Sequence, residues 1–122
     1  MAAFAVRAHP GIDQGAGRGV SPALGAGPTI VSKNSEVHYS RGLSDQHHDR
    51  AAAHGIPSQP VLFQGFAGDA EAFIRRAIDT GPVAFPMRST HSPFEMVEER
   101  DSNQCVALLA GFKTSAPCQG RR

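Results

Sequence analysis

The sequence predicts an α/β fold, a small mixed or mostly parallel sheet with packed helices. Three observations carry that prediction. Val61-Leu62-Phe63 and Val83-Ala84-Phe85 are short, continuous apolar runs, the pattern of strands covered on both faces. Between them Ala70, Phe73, Ile74, Ala77 and Ile78 recur at i, i+3, i+4, i+7 and i+8, one face of a helix. After the second run, Cys105, Leu108, Leu109 and Phe112 make another such face. Strand, helix, strand, helix in this order predicts a parallel βαβ unit, its two strands neighbours joined by a right-handed crossover.

Taken in order, Ala2 to Ala8 is apolar and ends at His9-Pro10-Gly11, which predicts a short buried strand and a turn. The glycine-rich run from Gly11 to Gly27 predicts a loop. Pro28 to Val31, with β-branched Thr29, Ile30 and Val31, predicts a second strand. Ser32-Lys33-Asn34-Ser35 is turn-like. Ser44 or Asp45 can cap a helix running to His54, with Ala51, Ala52 and Ala53 supplying propensity. Gly55 suits the position just past its end, and Pro57 follows as a stop. Leu43, His47 and Arg50 share one side, so this helix is expected to bury little.

Pro60 to Gln64 is the next strand, ended by Gly65. Asp69 can cap a helix over 69–78, because its carboxylate can accept from the free N–H groups of the first turn. Pro82 and Pro86 bracket Val83–Phe85, so that strand must be short or lack ladder partners there. A polar turn from Arg88 to Pro93 leads toward a helix over 101–112, which Asp101 and Gln104 would open as a capping box. Residues 1–113 are therefore expected to form the folded part, and Thr114 to Arg122 a disordered tail. Residues 11–27, 32–44 and 114–122 carry few large apolar side chains to offset the entropy of a fixed backbone, and are expected to be the least ordered.

The 122 residues suffice for one small domain with a single core. Thirteen Gly and nine Pro predict a loop-rich chain. A net charge of +1, with basic residues scattered apart from Arg75-Arg76 and Arg121-Arg122, gives no field to draw nucleic acid or an anionic membrane. No apolar run approaches the roughly 20 residues of a membrane helix. Met1 to Val6 is apolar but stops at Arg7, shorter than a signal-peptide core, so a cytoplasmic location is expected. Cys105 and Cys118 are too few for a disulfide scaffold. Cys105 falls on a helix face as a core residue, and Cys118 is a free thiol in the tail.

One stretch carries a family resemblance. Arg88-Ser89-Thr90-His91-Ser92-Pro93-Phe94-Glu95-Met96-Val97 resembles the R-Y-x-H-S-P-x-E-x-V segment of the dinuclear-metal aminopeptidases that assemble into tetrahedral dodecamers. These are the glutamyl aminopeptidases, some of which carry an endoglucanase or cellulase M label. His54-Gly55-Ile56-Pro57 resembles that family's E-G-I-P, and Gly65 to Ala70 its glycine-rich G-x-x-x-D-A turn. Pro10-Gly11-Ile12-Asp13 and Leu24-Gly25-Ala26-Gly27-Pro28 resemble its P-G-I-D and L-G-x-G-P segments. The pieces follow the family's order over residues 8–112. Ser89 stands where tyrosine is usual, Asp79 where proline is usual, and residues 32–50 match poorly.

The resemblance implies the C-terminal fragment of a phosphorylase/hydrolase-like αβα sandwich. It further implies removal of N-terminal residues from short peptides, homo-oligomers, and two divalent metal ions, zinc or cobalt. His91 stands where the family's histidine ligates one of the two metals, so His91 is the candidate metal ligand. The family's other ligands are an upstream histidine, a bridging aspartate, two adjacent glutamates that include the general base, and a further aspartate. All precede the P-G-I-D segment, and the last would fall near Met1 to Ala5, where no acid stands. A catalytic metal takes about three protein ligands and keeps a position open for water, and a two-metal site shares carboxylates to bring its ions close. One imidazole supplies neither. The chain alone is therefore expected to bind no metal pair and to be inactive, and no catalytic residue is assigned.

Other constellations read more simply. His47 and His54 are two helical turns apart, too far for one ion, so a solvated histidine face is expected. Gly65 to Gly68 lacks the lysine and the spacing of a phosphate loop and reads as a tight turn. Glu98 and Glu99 follow the His91 loop and do not occupy the family's glutamate pair. Glu95 with Asp101 could suggest the carboxyl pair of a glycosidase, but Asp101 is better explained as a cap. Two functions remain: the C-terminal part of a metal-dependent exopeptidase, or a non-catalytic α/β remnant or packing partner. The set of carboxylate ligands discriminates them.

Overall fold

The structure, a computed structural model, describes residues 7–8, 22–35, 37–63, 68–89 and 92–113. In chain order the elements are β1 (Arg7–Ala8), β2 (Thr29–Lys33), α1 (Arg41–Ala53), β3 (Gln59–Leu62), α2 (Ala70–Ile74), β4 (Val83–Arg88), β5 (Met96–Val97) and α3 (Glu99–Lys113). The expected strand over Ala2–Ala8 is described only at β1, and the expected loop and tail at 11–21 and 114–122 lie outside the described residues. No helix among the described residues is long and apolar enough to cross a membrane.

The strand order is β1-β4-β2-β3, with β5 pairing β4. β1 runs parallel to β4 and β2 parallel to β3, while β2 and β4 are antiparallel. The sheet is thus mixed, as expected, but one pairing is corrected. Val61-Leu62-Phe63 and Val83-Ala84-Phe85 are not parallel neighbours; β2 lies between them, and β4 runs opposite to β3. The reason lies in β2. Thr29, Ile30 and Val31 are at most 1% exposed, so β2 takes a partner on each side as a central strand. The parallel crossover is therefore β2–α1–β3, one helix earlier than the pattern suggested.

β3 also departs from the reading of a strand covered on both faces. Val61 is 2% exposed but Leu62 is 60% exposed, so β3 is a half-buried edge. β4 extends through Pro86 to Arg88. Pro86 lacks an N–H, but the ladder to β2 has already ended at Ala84, so no bond to β2 is lost there.

Side chains alternate across β4 and divide the core. Val83 and Phe85 pack with Ala51 of α1 and with Cys105, Leu108 and Leu109 of α3. Ala84 packs with Val31, Val61, Phe63, Tyr39 and Ala70 of α2. Helices thus cover both faces, the layering of an αβα sandwich. Each fully buried side chain such as Ile30, Val31 or Val83 contributes about 1.5–3 kcal/mol.

α1 starts earlier than Ser44. Ser40 is its N-cap, its hydroxyl accepting from the Leu43 amide, and the buried face is Ser44, His47 and Ala51. The end is as expected. Gly55, at φ +65°, donates its N–H to Ala52 O, and the Ile56 N–H reaches Ala51 O. This paired closure satisfies two terminal carbonyls and lays Ile56 against Ala51.

Residues 32–35 and 37–44, expected among the least ordered, are hydrogen-bonded into the fold instead. Asn34 closes the turn by accepting from the Val37 N–H (2.9 Å). Its side-chain amide donates to Tyr39 Oη and to Glu71 Oε1, each at 2.7 Å. A single buried Asn thereby supplies the order that the apolar count did not promise. Burial, and secondarily Glu71, raise the Tyr39 phenol above its ordinary value.

α2 is shorter than 69–78, and Asp69 sits at its N-cap with no side-chain cap hydrogen bond. The turn that follows it closes on Ala77, at φ +58°. The Ala77 N–H donates to Ile74 O and the Ile78 N–H to Phe73 O, the same closure as at Gly55 but with alanine in the left-handed position. A left-handed alanine costs about 1–2 kcal/mol, more than the roughly 0.4–1 kcal/mol of extra unfolded-state entropy that glycine brings. Ala77→Gly is therefore expected to stabilise the protein by about 0.5–1 kcal/mol in urea unfolding. A variant less stable than the parent would refute this closure.

Candidate functional site

β4 delivers the chain to the segment that the sequence singles out. The strand ends at Arg88, and Ser89 turns the backbone at φ +56°, a left-handed conformation that a serine adopts at a cost. The Ser92 N–H donates to Ser89 O (3.1 Å), and the Ser92 hydroxyl donates to Phe94 O (2.8 Å). The chain then re-enters the sheet at β5, with Met87 opposite Val97 and Arg88 opposite Met96. A two-residue antiparallel ladder therefore fixes both ends of the loop. β5 stands between the polar turn and the helix, where the sequence carries no strand signal. Met96 and Val97 are both exposed, so no alternation marked them as a strand. His91, the candidate metal ligand, lies outside the described residues.

α3 follows at once and begins at Glu99, two residues before the expected start. Asp101 is therefore inside the first turn and is not a cap of its own helix. It is fully buried, and its carboxylate accepts from the Gly25 N–H (2.7 Å) and the Gly27 N–H (2.9 Å). On the other side of the same loop, Gln59 accepts from the Ala23 N–H and donates to Ala23 O and Gly27 O. Residues 23–27, which overlap the L-G-x-G-P segment at Leu24–Pro28, are thus held by one side chain from α3 and one from β3. At the far end of α3, the Arg50 guanidinium donates to Gly111 O, a cation at the negative end of the helix.

The other candidate groups are dispersed. His47 is buried, which corrects the expectation of a solvated face. Its Nε2 lies 3.0 Å from Gly81 O and must donate to that carbonyl, so the neutral ring carries its proton on Nε2. Burial lowers its pKa, opposed by the Gly81 hydrogen bond and reinforced by His48 and Arg50. His48 Nδ1 pairs with the Ser58 hydroxyl at 2.8 Å, and His54 Nδ1 takes Arg50 O at 2.9 Å as its partner. The three histidines therefore serve three separate local contacts. Glu95 and Glu98 are exposed, while Asp101 is buried against the glycine loop, so they form no carboxyl pair around a substrate. Cys105 is a core residue as expected. Its thiol donates to Ala84 O (3.1 Å), and burial, with Asp101 adding, pushes its pKa up to about 12. Residues 65–67 of the glycine-rich turn lie outside the described residues.

Among the described residues, no three His, Cys, Asp or Glu side chains gather where they could hold a metal ion. The described residues thus do not fit a dinuclear centre, and no step through a metal is derived from them. What they build is a base: a strand end, a two-residue ladder that brackets the loop and an anchored helix, at the carboxyl end of β4 where open α/β sheets place their ligands.

Comparison with known proteins gives this base its context. A family model described as M42 glutamyl aminopeptidase matches residues 1–108. The PhTET1-12s dodecamer superposes with a TM-score of 0.80 at 24% identity, over 93% of this chain and 33% of that one. The Pyrococcus horikoshii TET1 peptidase, which can assemble into a tetrahedron or a large octahedral shell, gives 0.71 at 29% identity, over 77% and 28%. The aminopeptidase APDkam598 from Desulfurococcus kamchatkensis gives 0.76 at 22% identity, over 90% and 32%. The chain therefore spans about a third of the length of these structures. No curated protein matches it. A family match over nearly the whole chain, on a mixed αβα sheet that superposes on TET peptidases, establishes that the chain belongs to the M42 glutamyl aminopeptidase family.

Proposed function

We propose that these residues form the C-terminal part of the catalytic domain of a metal-dependent aminopeptidase, in which His91 is one ligand of a pair of zinc or cobalt ions. The observation that carries this reading is the family match over residues 1–108, which includes the His91 segment. The loop base built by β4 and β5 supports it, because it fixes the backbone on both sides of position 91. The substrates are short peptides cleaved at their N-terminus, the location is the cytoplasm, and the assembly is a homo-oligomer, as the relatives' dodecamer and tetrahedron suggest. The remaining metal ligands and the general base belong to segments that precede the P-G-I-D region in the family.

The 122-residue chain by itself is then a non-catalytic piece. Asp101 favours this second reading, because the buried acid nearest in sequence to the loop is engaged by backbone amides. Incubated with short peptides and cobalt or zinc, the purified chain is expected to release no amino acids above background. Turnover that His91→Ala abolishes would show a complete enzyme instead.

A further inference from the structure

We propose that the Gly25–Gly27 turn is an anion-binding site that the chain fills with its own carboxylate, and that this internal ligand locks α3 onto the sheet. Gly25 and Gly27 lie at φ +79° and +89°, with Ala26 between them. Left-handed residues in such a turn aim alternate backbone N–H groups into one concavity, the arrangement that binds phosphate and carboxylate groups. Here each N–H meets a different oxygen of one carboxylate: Gly25 meets Asp101 Oδ2 at 2.7 Å and Gly27 meets Oδ1 at 2.9 Å.

The geometry is that of a bound anion and not of an incidental contact. Both oxygens are used, both donors are main-chain, and Asp101 is fully buried. No ion pair to Asp101 occurs among the described residues, so the amides are the groups that compensate its charge. The loop does not depend on Asp101 alone for its shape. Gln59 holds Ala23 and Gly27 from the opposite side, and the Gly27 Cα packs so close to Pro57 that no side chain fits there. The concavity is therefore shaped by the loop, by Gln59 and by Pro57, and is expected to persist when the carboxylate is removed. Its ligand class is a small monocarboxylate.

Replacement of the internal ligand by an external one tests this. Asp101→Ala removes one carboxylate group and leaves room for formate. The folded-to-unfolded ratio is expected to fall by roughly 10- to 100-fold, because the buried Gly27 amide and the part-buried Gly25 amide lose a charged acceptor. Sodium formate should then raise the unfolding midpoint of Asp101→Ala in a saturable way, beyond sodium chloride of equal ionic strength, and should leave the parent unchanged. Pivalate, the same charge on a bulky body, should give no rescue. Asp101→Asn should also be destabilised and should not respond to formate, since its amide fills the space and turns a donor toward one N–H. If Asp101→Ala is unfolded in chloride, a formate-dependent gain of helical circular dichroism is the readout. Absence of rescue, equal formate shifts in parent and variant, or an Asp101→Asn protein as stable as the parent would each overturn the proposal.

Discussion

Replacing Gly27 with alanine is expected to destabilise the protein by about 3 kcal/mol or more. Two costs combine. Gly27 lies at φ +89°, where an L side chain is strained, at about 1–3 kcal/mol. A Cβ there would also sit 2.0 Å from Pro57 O and 2.8 Å from Pro57 C, and backbone cannot step aside as a flexible side chain can. Relief would require moving the 55–59 turn that joins α1 to β3, or the loop that Asp101 and Gln59 hold. Gly25→Ala is the control. It lies at φ +79° but has nothing within 4 Å of its Cβ position, so it should cost only the strain, about 1–2 kcal/mol. Urea unfolding of both variants checks this, and equal losses at the two positions would show that close approach to Pro57 is not the cause.

The second large effect is a loss of stability in mild acid through His47. The ring is buried and donates from Nε2 to Gly81 O, and burial lowers its pKa in the folded state. The unfolded chain titrates near the ordinary value of about 6.5. Below that value the unfolded state binds a proton that the folded state resists, so stability falls with pH until the lowered folded pKa is reached. The contribution is fully present above pH ~6.5 and is lost at up to about 1.4 kcal/mol per pH unit as pH drops. His48 and Arg50 add positive charge on the same helix and deepen the effect. His47→Gln keeps a donor for Gly81 O but does not titrate. Unfolding free energies of parent and variant between pH 7.5 and 5.0 should therefore diverge in slope, with the variant flatter. Parallel slopes would exclude His47 as the titrating group.

Local signals in the sequence were reliable where one segment determines the outcome. The apolar runs located β2, β3 and β4, and Gly55 marked the end of α1 because a left-handed residue is needed there. What failed depended on partners far away in sequence. That β2 separates β3 from β4 follows from burial on both sides of Thr29–Val31, which an apolar run does not distinguish from burial beneath helices. Asp101 carries the local signature of a cap for its own helix, but it lies inside the first turn of α3, and its donors lie more than 70 residues away, where nothing local names them. His47 sits among polar neighbours and looked solvated; its burial comes from the approach of Gly81, where a Cβ would meet Leu43 and His47. Of the candidate site, the loop between β4 and β5 was legible from the motif around His91, while β5 itself was too short and too exposed to read.

In the proposed function His91 is one ligand of a metal pair, and no ligand cluster for such a pair gathers among the described residues. A neutral imidazole alone binds zinc weakly, because a tetrahedral ligand set and compensating anionic donors are both missing. Calorimetric titration of zinc or cobalt into the 122-residue chain and into its His91→Ala variant tests that claim most directly. Weak, superimposable isotherms are the predicted result; tight, stoichiometric uptake that His91→Ala abolishes would contradict it.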